Sequence, residues 1–238
     1  MALIDNIVSV WKFNESSGNA ADSVDSNTLV NQGTATFSAG KFDNATNLAL
    51  ASSQYFKISS NIRPATNWTV NSWINTTDTA NSYRGVFAHF LAANTVYCGG
   101  CWYRAAPAEG FDFFVYSALN ATNNTVSFNT TLSTGEWHMV TCVYDISNTK
   151  LQFYLDGTQQ CGDVTITITP ETPDHFNVGN LNDAAGQYWN GSIDETILWS
   201  RAITSSEVTE LWNGGTGLAY PFTGGGSNPL FTLLGVGV

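Results

Sequence analysis

Positive charge is scarce in this 238-residue chain. Lysine and arginine number 8 against 19 aspartate and glutamate residues, which gives a formal net charge of −11. A surface of this sign repels phosphate backbones and anionic lipid headgroups. The sequence also lacks any apolar run near the roughly 20 residues that a membrane-spanning helix requires. We therefore expect neither a nucleic-acid partner nor insertion into a membrane.

The residues and motifs of common catalytic sites are equally sparse. The chain has 3 histidines, and it contains no G-x-S-x-G elbow, H-E-x-x-H motif, phosphate loop or dinucleotide fingerprint. Retaining glycoside hydrolysis needs two carboxyl groups about 5 Å apart. The nearest pair, Asp194 and Glu195, falls in an alternating segment and is expected to point to opposite faces of a strand. The sequence thus predicts a protein that is not an enzyme.

Cysteine is limited to 4 residues. Cys98 and Cys101 form a C-x-x-C motif around two glycines. Zinc would require two further ligands, and redox motifs of this type normally accompany a βαβ unit. A local disulfide across a Gly-Gly hairpin and a pair of free thiols both remain open. Cys142 shares a face with Val140 and Tyr144, which predicts a core thiol.

Short segments of alternating apolar and polar residues run through the whole chain. Glycine, asparagine, serine and aspartate separate them, as turns require. The predicted strands are residues 7–13, 53–59, 68–74, 84–91, 111–117, 125–129, 137–144, 150–155, 163–169, 175–179 and 188–199. This pattern predicts an all-β fold, an antiparallel β-sandwich with almost no helix.

The end of the last predicted strand leads into one short helix within residues 188–212. Thr204 and Glu207 have the spacing of a capping box, in which each side chain binds the other residue's backbone amide. Leu211 and Trp212 continue an apolar stripe at helical spacing. We expect this helix to pack on the sandwich.

The closing sequence, NGSIDETILWSRAITSSEVTELW, resembles the last motif of the concanavalin A-like jelly rolls, in particular the laminin G-like branch of bacteria and phages. Three further segments resemble the same family: VSVWKFNESSGNAAD at 8–22, WTVNSWI at 68–74 and GEWHMVTCVYDISNTKLQFYLDG at 135–157. The resemblance covers about residues 7–222 and implies one jelly-roll domain, which we assign to residues 1–222. It also implies core positions for most tryptophans, namely Trp11, Trp73, Trp189, Trp199 and Trp212.

The resemblance further implies a structural Ca²⁺ that joins the N-terminal loop to the last strand. By position, Asp22 matches the loop carboxylate and Asp194 the strand carboxylate, and Asn27 could supply another oxygen. Calcium binds six to eight such hard oxygen ligands. The alternative is that these aspartates cap turn amides.

Residues 92–110 depart most from the family pattern, and they are interpreted as a hairpin or loop specific to this protein. No core pattern explains Trp102 and Tyr103 within it. The candidate ligand-binding patch, for a glycan or a protein partner, is Trp102, Tyr103, Arg104, Tyr83 and Arg84. The alternative role for Trp102 is to anchor its own loop.

The last residues, 223–238, form a glycine-rich linker and an apolar tail. The tail is expected either to dock in an oligomeric assembly or to pack on its own sandwich. The first residues lack a secretory signal. Together these features predict a non-catalytic carbohydrate-binding or adhesion module, at an extracellular or virion surface, as a structural component such as a phage decoration or tail protein. The alternatives are a glucanase-type hydrolase and a lectin domain cut from a larger secreted protein.

Overall fold

The computed structural model describes residues 1–77, 83–91, 96–104, 108–117, 122–181 and 187–222. Fifteen described strands form two antiparallel sheets that pack face to face. This arrangement confirms the predicted β-sandwich. The tail at 223–238 lies outside the described residues, so its two predicted roles stay predictions.

The eight-stranded sheet has the order β13-β12-β11-β6-β15-β4-β3, with β1 paired to β15. Its strands are β1 (Ile7–Trp11), β3 (Thr36–Ala39), β4 (Asn44–Leu48), β6 (Trp68–Thr76), β11 (Trp137–Asp145), β12 (Lys150–Leu155), β13 (Thr158–Thr165) and β15 (Gly191–Trp199). Strand β15 lies near the middle of this sheet and pairs with three neighbours.

The seven-stranded sheet has the order β10-β9-β8-β7-β14-β5-β2. Its strands are β2 (Val30–Gln32), β5 (Tyr55–Ile58), β7 (Arg84–Leu91), β8 (Val96–Arg104), β9 (Gly110–Ser117), β10 (Thr122–Asn129) and β14 (His175–Val178). Short 3-10 turns occur at Leu50–Ser52, Ile146–Asn148 and Asn213–Gly215.

The main core fills the space between the two sheets and is rich in aromatic rings. Trp11 stacks on Phe176 with ring centroids 5.3 Å apart, and Trp68 stacks on Tyr144 at 5.4 Å. Cys142 is fully buried there, as predicted. Burial of such large apolar surfaces supplies most of the favourable free energy of folding.

A second core covers the outer face of the eight-stranded sheet. The helix α1 (Ser205–Trp212) packs there, and Trp212 stacks on Trp73 with centroids 5.4 Å apart. The N-terminal segment joins this core, because the Trp199 Nε1–H donates a 2.8 Å hydrogen bond to the Leu3 carbonyl. The N-terminal segment and α1 therefore cover this outer face.

The predicted capping box at the start of α1 is confirmed. The Glu207 amide donates to Thr204 Oγ1, and the Thr204 amide donates to Glu207 Oε2 at 2.7 Å. Arg201 forms an ion pair with Glu207 and donates to the Ala2 and Asp5 carbonyls. This pair ties the helix to the N-terminal segment.

Each of the eleven predicted strands has a counterpart, although β13 begins and ends earlier than residues 163–169. Four described strands were not predicted: β2, β3, β4 and β8. For residues 92–110 the loop alternative is wrong at β8, which pairs antiparallel with β7 and β9. Glycines suggested a turn there, but Gly100 lies where an added Cβ would be 2.8 Å from the Phe87 carbonyl oxygen. Close strand packing, rather than a turn, explains this glycine.

The local disulfide across Cys98 and Cys101 is also wrong, because neither sulfur belongs to a disulfide. The two residues belong to one extended strand, so their Cα atoms are separated by about 10 Å. A disulfide requires less than about 7 Å. Burial raises the pKa of Cys98 to about 12, which keeps this thiol protonated and unreactive.

Candidate functional site

An aromatic patch lies on the outer face of the seven-stranded sheet, and we define it as Tyr83, Tyr97, Trp102 and Phe114. The Trp102 ring centroid lies 4.4 Å from Phe114, 5.5 Å from Tyr83 and 6.3 Å from Tyr97. Tyr83 is 50% exposed, and Trp102 is half-buried. Alternation places Trp102 of β8 and Phe114 of β9 on this face. Tyr97 shares it because the pairing of β8 with β7 shifts by one residue between Tyr97 and Gly99.

Polar groups hold the indole of Trp102 in place. Its Nε1–H donates a 2.7 Å hydrogen bond to Asp112 Oδ2. The other oxygen of Asp112 accepts a hydrogen bond from Ser127 and lies 3.0 Å from Arg104 Nε. Arg104 also donates to the Phe128 carbonyl at 2.9 Å. The aromatic surface is therefore fixed in orientation, and the nearest cation and anion neutralise each other.

The hydroxyl of Tyr97 lies at another edge of the aromatic patch than Asp112. Tyr97 donates from its hydroxyl to Gln187 Oε1 at 2.8 Å. Burial raises the pKa of Tyr97, and the hydrogen bond to Gln187 opposes this effect. The hydroxyl thus stays protonated at neutral pH. Aromatic faces bordered by amide, hydroxyl and paired carboxylate groups can pack against the apolar side of a sugar ring and bind its hydroxyls.

The structure brings together three of the five residues predicted for ligand binding: Trp102, Tyr83 and Arg104. The other two predictions are wrong. Tyr103 is 1% exposed in the main core, where its ring packs on Phe111 at 5.1 Å. Arg84 is also 1% exposed and lies opposite Tyr103 in the sheet. Because neighbours along a strand face opposite sides, Tyr103 cannot share a surface with Trp102.

The sequence reasoning missed Asp112, Phe114 and Tyr97. A signal for the first two exists in the predicted strand at 111–117, where alternation places Asp112 and Phe114 on one face. Tyr97 could not be placed, because β8 itself was not predicted. Gln187 comes to the patch from a distant part of the sequence.

The residues predicted to bind calcium hold two separate turns. Asp194 Oδ2 accepts the Phe42 amide at 2.9 Å, and its Oδ1 accepts the Glu195 amide at 2.8 Å. Asp22 Oδ1 accepts the amides of Val10 and Val24. Each carboxylate thus performs the amide-capping role that was the alternative to calcium.

Only one carboxylate oxygen of the two aspartates has no protein partner within the described residues, namely the buried Asp22 Oδ2. Asn27 does not add to a cluster, since its Nδ2–H donates to Ser9 Oγ and its carbonyl accepts from the indole of Trp11. In the described part of the chain no three His, Cys, Asp or Glu residues group as metal ligands. This donor set does not fit the six to eight oxygens that calcium requires, and calcium binding stays a prediction.

The expectation that Asp194 and Glu195 point to opposite faces is wrong. The register of β15 shifts between Asp194 and Ile197, and Glu195 has a φ of 44° within this bulge. Both carboxyl groups consequently lie beneath the second core, where Glu195 Oε2 accepts the Tyr220 amide. An extra residue in one strand interrupts the alternation of side chains, so that two successive residues can point to the same face of the sheet.

Burial raises the pKa of both carboxyl groups in this bulge. The pKa of Asp194 rises from 3.8 to about 8 because of burial, while the Phe42 amide opposes the shift. The pKa of Glu195 rises to about 7, again chiefly through burial. Perturbed carboxyl groups are typical of catalytic sites, but Asp194 is 0% and Glu195 2% exposed. A substrate could not reach either group in this conformation.

A family model agrees with the fold described above. The model described as the concanavalin A-like lectin/glucanases superfamily matches residues 50–209. This chain belongs to that superfamily. No curated protein matches this chain. Among the described residues, no helix has the length and apolar character needed to cross a membrane.

Solved structures of the same jelly-roll architecture include domain 4 of AbnA, a GH43 extracellular arabinanase from Geobacillus stearothermophilus, in complex with arabinotriose. It is 17% identical, with 86% of this chain and 97% of that chain covered and a TM-score of 0.54. The receptor binding domain of botulinum neurotoxin C/D mosaic serotype is 14% identical over 89% and 52%, with a TM-score of 0.67. Trypanosoma rangeli sialidase is 11% identical over 88% and 33%, with a TM-score of 0.66.

The chain thus spans about half of the toxin domain and a third of the sialidase. At these identities the likeness shows the lectin-like fold alone.

Proposed function

We propose that this protein is a non-catalytic carbohydrate-binding module, and that its aromatic patch binds an uncharged glycan. The observation that carries the proposal is Trp102, a half-buried indole fixed by Asp112 and surrounded by three further aromatic rings. A tryptophan held in one orientation loses little conformational entropy when a ligand packs on it. The lectin-like fold of the superfamily agrees with this role.

The charges around the patch favour an uncharged ligand. Arg104 lies 3.0 Å from Asp112, and the pair leaves no net positive charge beside Trp102. The whole chain carries a net charge of −11. The negative charge of the protein would repel a sialylated or sulfated glycan, and among the described residues no unpaired cation beside Trp102 would offset this repulsion. A neutral glycan is not repelled.

The positions of the carboxyl groups support a binding role without catalysis. The two carboxyl groups with strongly raised pKa, Asp194 and Glu195, belong to the opposite sheet from Trp102 and are buried. Asp112, the carboxylate beside the patch, is already bound by Trp102, Ser127 and Arg104. A glycosidase would need two accessible carboxyl groups on either side of one bond.

The test is the affinity of the Trp102→Ala variant for glycans on an array of neutral and sialylated oligosaccharides. We expect binding to the best neutral glycan to fall by about tenfold or more, which corresponds to about 1.4 kcal/mol. Trp137→Ala is the matched control, because Trp137 is a half-buried tryptophan of the other sheet. Equal affinities of the Trp102→Ala variant and the wild type would reject the patch as the glycan site.

We further propose that the module works at an extracellular or virion surface, as an adhesion-type component of a larger assembly. The support is the apolar composition of residues 229–238, which follow the glycine-rich linker at 223–228 and suit strand addition to a neighbouring sheet. Size-exclusion chromatography with light scattering would compare the full chain with a chain that ends at Phe222. We expect only the full chain to form oligomers. Identical monomeric elution of both would contradict self-assembly through the tail.

A further inference from the structure

A cavity of about 590 Å³ opens at the edge of the sandwich, away from the aromatic patch. The loop that follows β1, including Ser16 and Ser17, forms one wall, and Thr36 and Phe37 of β3 form another. Asn31 of β2 lies between them. The volume falls in the range of small-molecule binding sites, about 300–1,000 Å³.

The walls of this cavity are held in place by the protein itself. Asn31 Nδ2 donates to the Gly18 carbonyl at 2.9 Å and to the Ala35 carbonyl at 2.8 Å. The Asn31 amide donates to Asn19 Oδ1, and Asn31 Oδ1 accepts the Ala35 amide. A single asparagine therefore links the loop at 16–19 to the turn before β3. A cavity with prearranged walls requires little ordering when a ligand enters.

The lining combines one aromatic ring with neutral polar groups, and no residue that lines the cavity is charged. The Phe37 ring is half-buried and rests edge-on against Phe56, with centroids 5.9 Å apart. The hydroxyls of Ser16, Ser17 and Thr36 make no hydrogen bond to the parts of the chain that the structure describes. They remain available to a ligand.

These observations select one class of ligand. An ionic ligand would lose hydration on entry and find no counter-ion, which is costly. A purely apolar ligand would leave the hydroxyls of Ser16, Ser17 and Thr36 unpaired. A ligand with an apolar ring face and several uncharged hydroxyls satisfies both the ring and the polar groups.

We propose that this cavity is a second saccharide-binding site, which takes one sugar residue of an uncharged glycan. It does not depend on the aromatic patch, since the two share no residue. Four strand-to-strand steps in the seven-stranded sheet separate β8 from β2, which corresponds to about 19 Å. Two sites at this spacing bind separate arms of a branched or dense glycan, and such bivalency raises avidity.

The test is isothermal titration of the full chain with uncharged trisaccharides of arabinose, glucose, galactose and mannose, with sialyllactose as the charged comparison. Ser17→Trp fills the cavity from an exposed loop position, and Ser26→Trp is the matched control in an exposed turn outside it. Thermal melts establish that each variant is folded. We expect two sites for the wild type and the control, one site for Ser17→Trp, and none for Ser17→Trp combined with Trp102→Ala.

The outcomes separate the two proposals. If Ser17→Trp leaves the number of sites and their affinities unchanged, or if the wild type binds none of the neutral trisaccharides, the cavity is not a saccharide site. If Ser17→Trp removes a site while Trp102→Ala changes nothing, the cavity proposal holds and the aromatic patch proposal fails. Tighter binding of sialyllactose than of the neutral sugars at the cavity would overturn the ligand class.

Discussion

Trp73 lies on the outer face of the eight-stranded sheet, and Trp102 lies on the outer face of the seven-stranded sheet. Trp73 is 1% exposed, because Trp212 of α1 stacks on it and Lys41 Nζ lies 4.3 Å from its ring centroid. Trp102 contacts the rings of Tyr83 and Phe114 and remains half-buried. The N-terminal segment and α1 cover the first face, while the described residues leave the second partly open.

The same residue type therefore serves stability on one face and, by our proposal, recognition on the other. Covering a face requires additional chain, here the N-terminal segment, α1 and the residues up to Phe222. The aromatic side chains of the seven-stranded sheet are instead fixed by hydrogen bonds, such as Trp102 to Asp112 and Tyr97 to Gln187. Exposed aromatic surface fixed in this way is typical of binding sites rather than of cores.

The largest expected effect tests the covered face. Trp73→Ala should lower the free energy of unfolding by about 3–5 kcal/mol, since it removes a fully buried indole and leaves a cavity beneath Trp212. Urea denaturation followed by fluorescence and circular dichroism measures this change. Trp102→Ala, the matched variant on the open face, should lose clearly less. Equal losses at the two positions would remove the distinction between a covered and an open face.

The second-largest expected effect is a dependence of stability on pH, which Asp194 and Glu195 cause beneath the covered face. Asp194 has a folded pKa of about 8 and Glu195 of about 7, both raised by burial, whereas both titrate near 4 in an unfolded chain. Between the unfolded and the folded pKa values, the folded state keeps protons that the unfolded state has lost. The free energy of unfolding therefore falls as the pH rises through this range. We expect the free energy of unfolding to fall by at least about 1.4 kcal/mol from pH 5 to pH 8.5, the equivalent of one pKa unit.

Urea titrations at the two pH values measure this slope, and Asp194→Asn should reduce it. Asp163→Asn is the control, because hydrogen bonds from Lys150, Gln152 and Gln159 lower the pKa of Asp163 to about 2. Asp163 is thus ionised throughout the range and should not affect the slope. A slope in Asp194→Asn as steep as in the wild type would show that buried Asp194 does not titrate there.

The smallest effect concerns calcium at the junction of loop and sheet. Because backbone amides already occupy both oxygens of Asp194, we expect the melting temperature to change by less than about 1 °C between excess Ca²⁺ and chelator. Differential scanning calorimetry measures the difference. A clear rise with Ca²⁺ that Asp22→Asn abolishes would support the ion implied by the family resemblance, and it would overturn the amide-capping interpretation.

Alternation and capping allowed most of the fold to be predicted, since both depend on neighbours within a few residues. The strand at β6 and the helix α1 with Thr204 and Glu207 are examples. The strand β8 could not be predicted, because its glycines look like a turn when the sequence is considered alone. Its extended form depends on hydrogen bonds to β7 and β9, which come from other parts of the chain.

The candidate site was predictable in part for the same reason. Trp102 stood out because no core pattern explained it, whereas Tyr103 was misplaced because its strand was unknown. The bulge at Glu195 reversed another prediction, since a register shift has no reliable local signal. The cavity at Asn31 was not predicted at all, as its walls come from three separate segments.

By itself, the sequence determined the β-sandwich, the closing helix with its cap and the scarcity of positive charge. These properties follow from periodicity and composition, which act locally or on the whole chain. Only the tertiary structure decided which aromatic side chains share an outer face, that Asp194 and Glu195 lie on one side, and where a cavity opens. Such properties depend on strand pairing and register between distant residues, and a single slip of one residue exchanges the two faces of a strand.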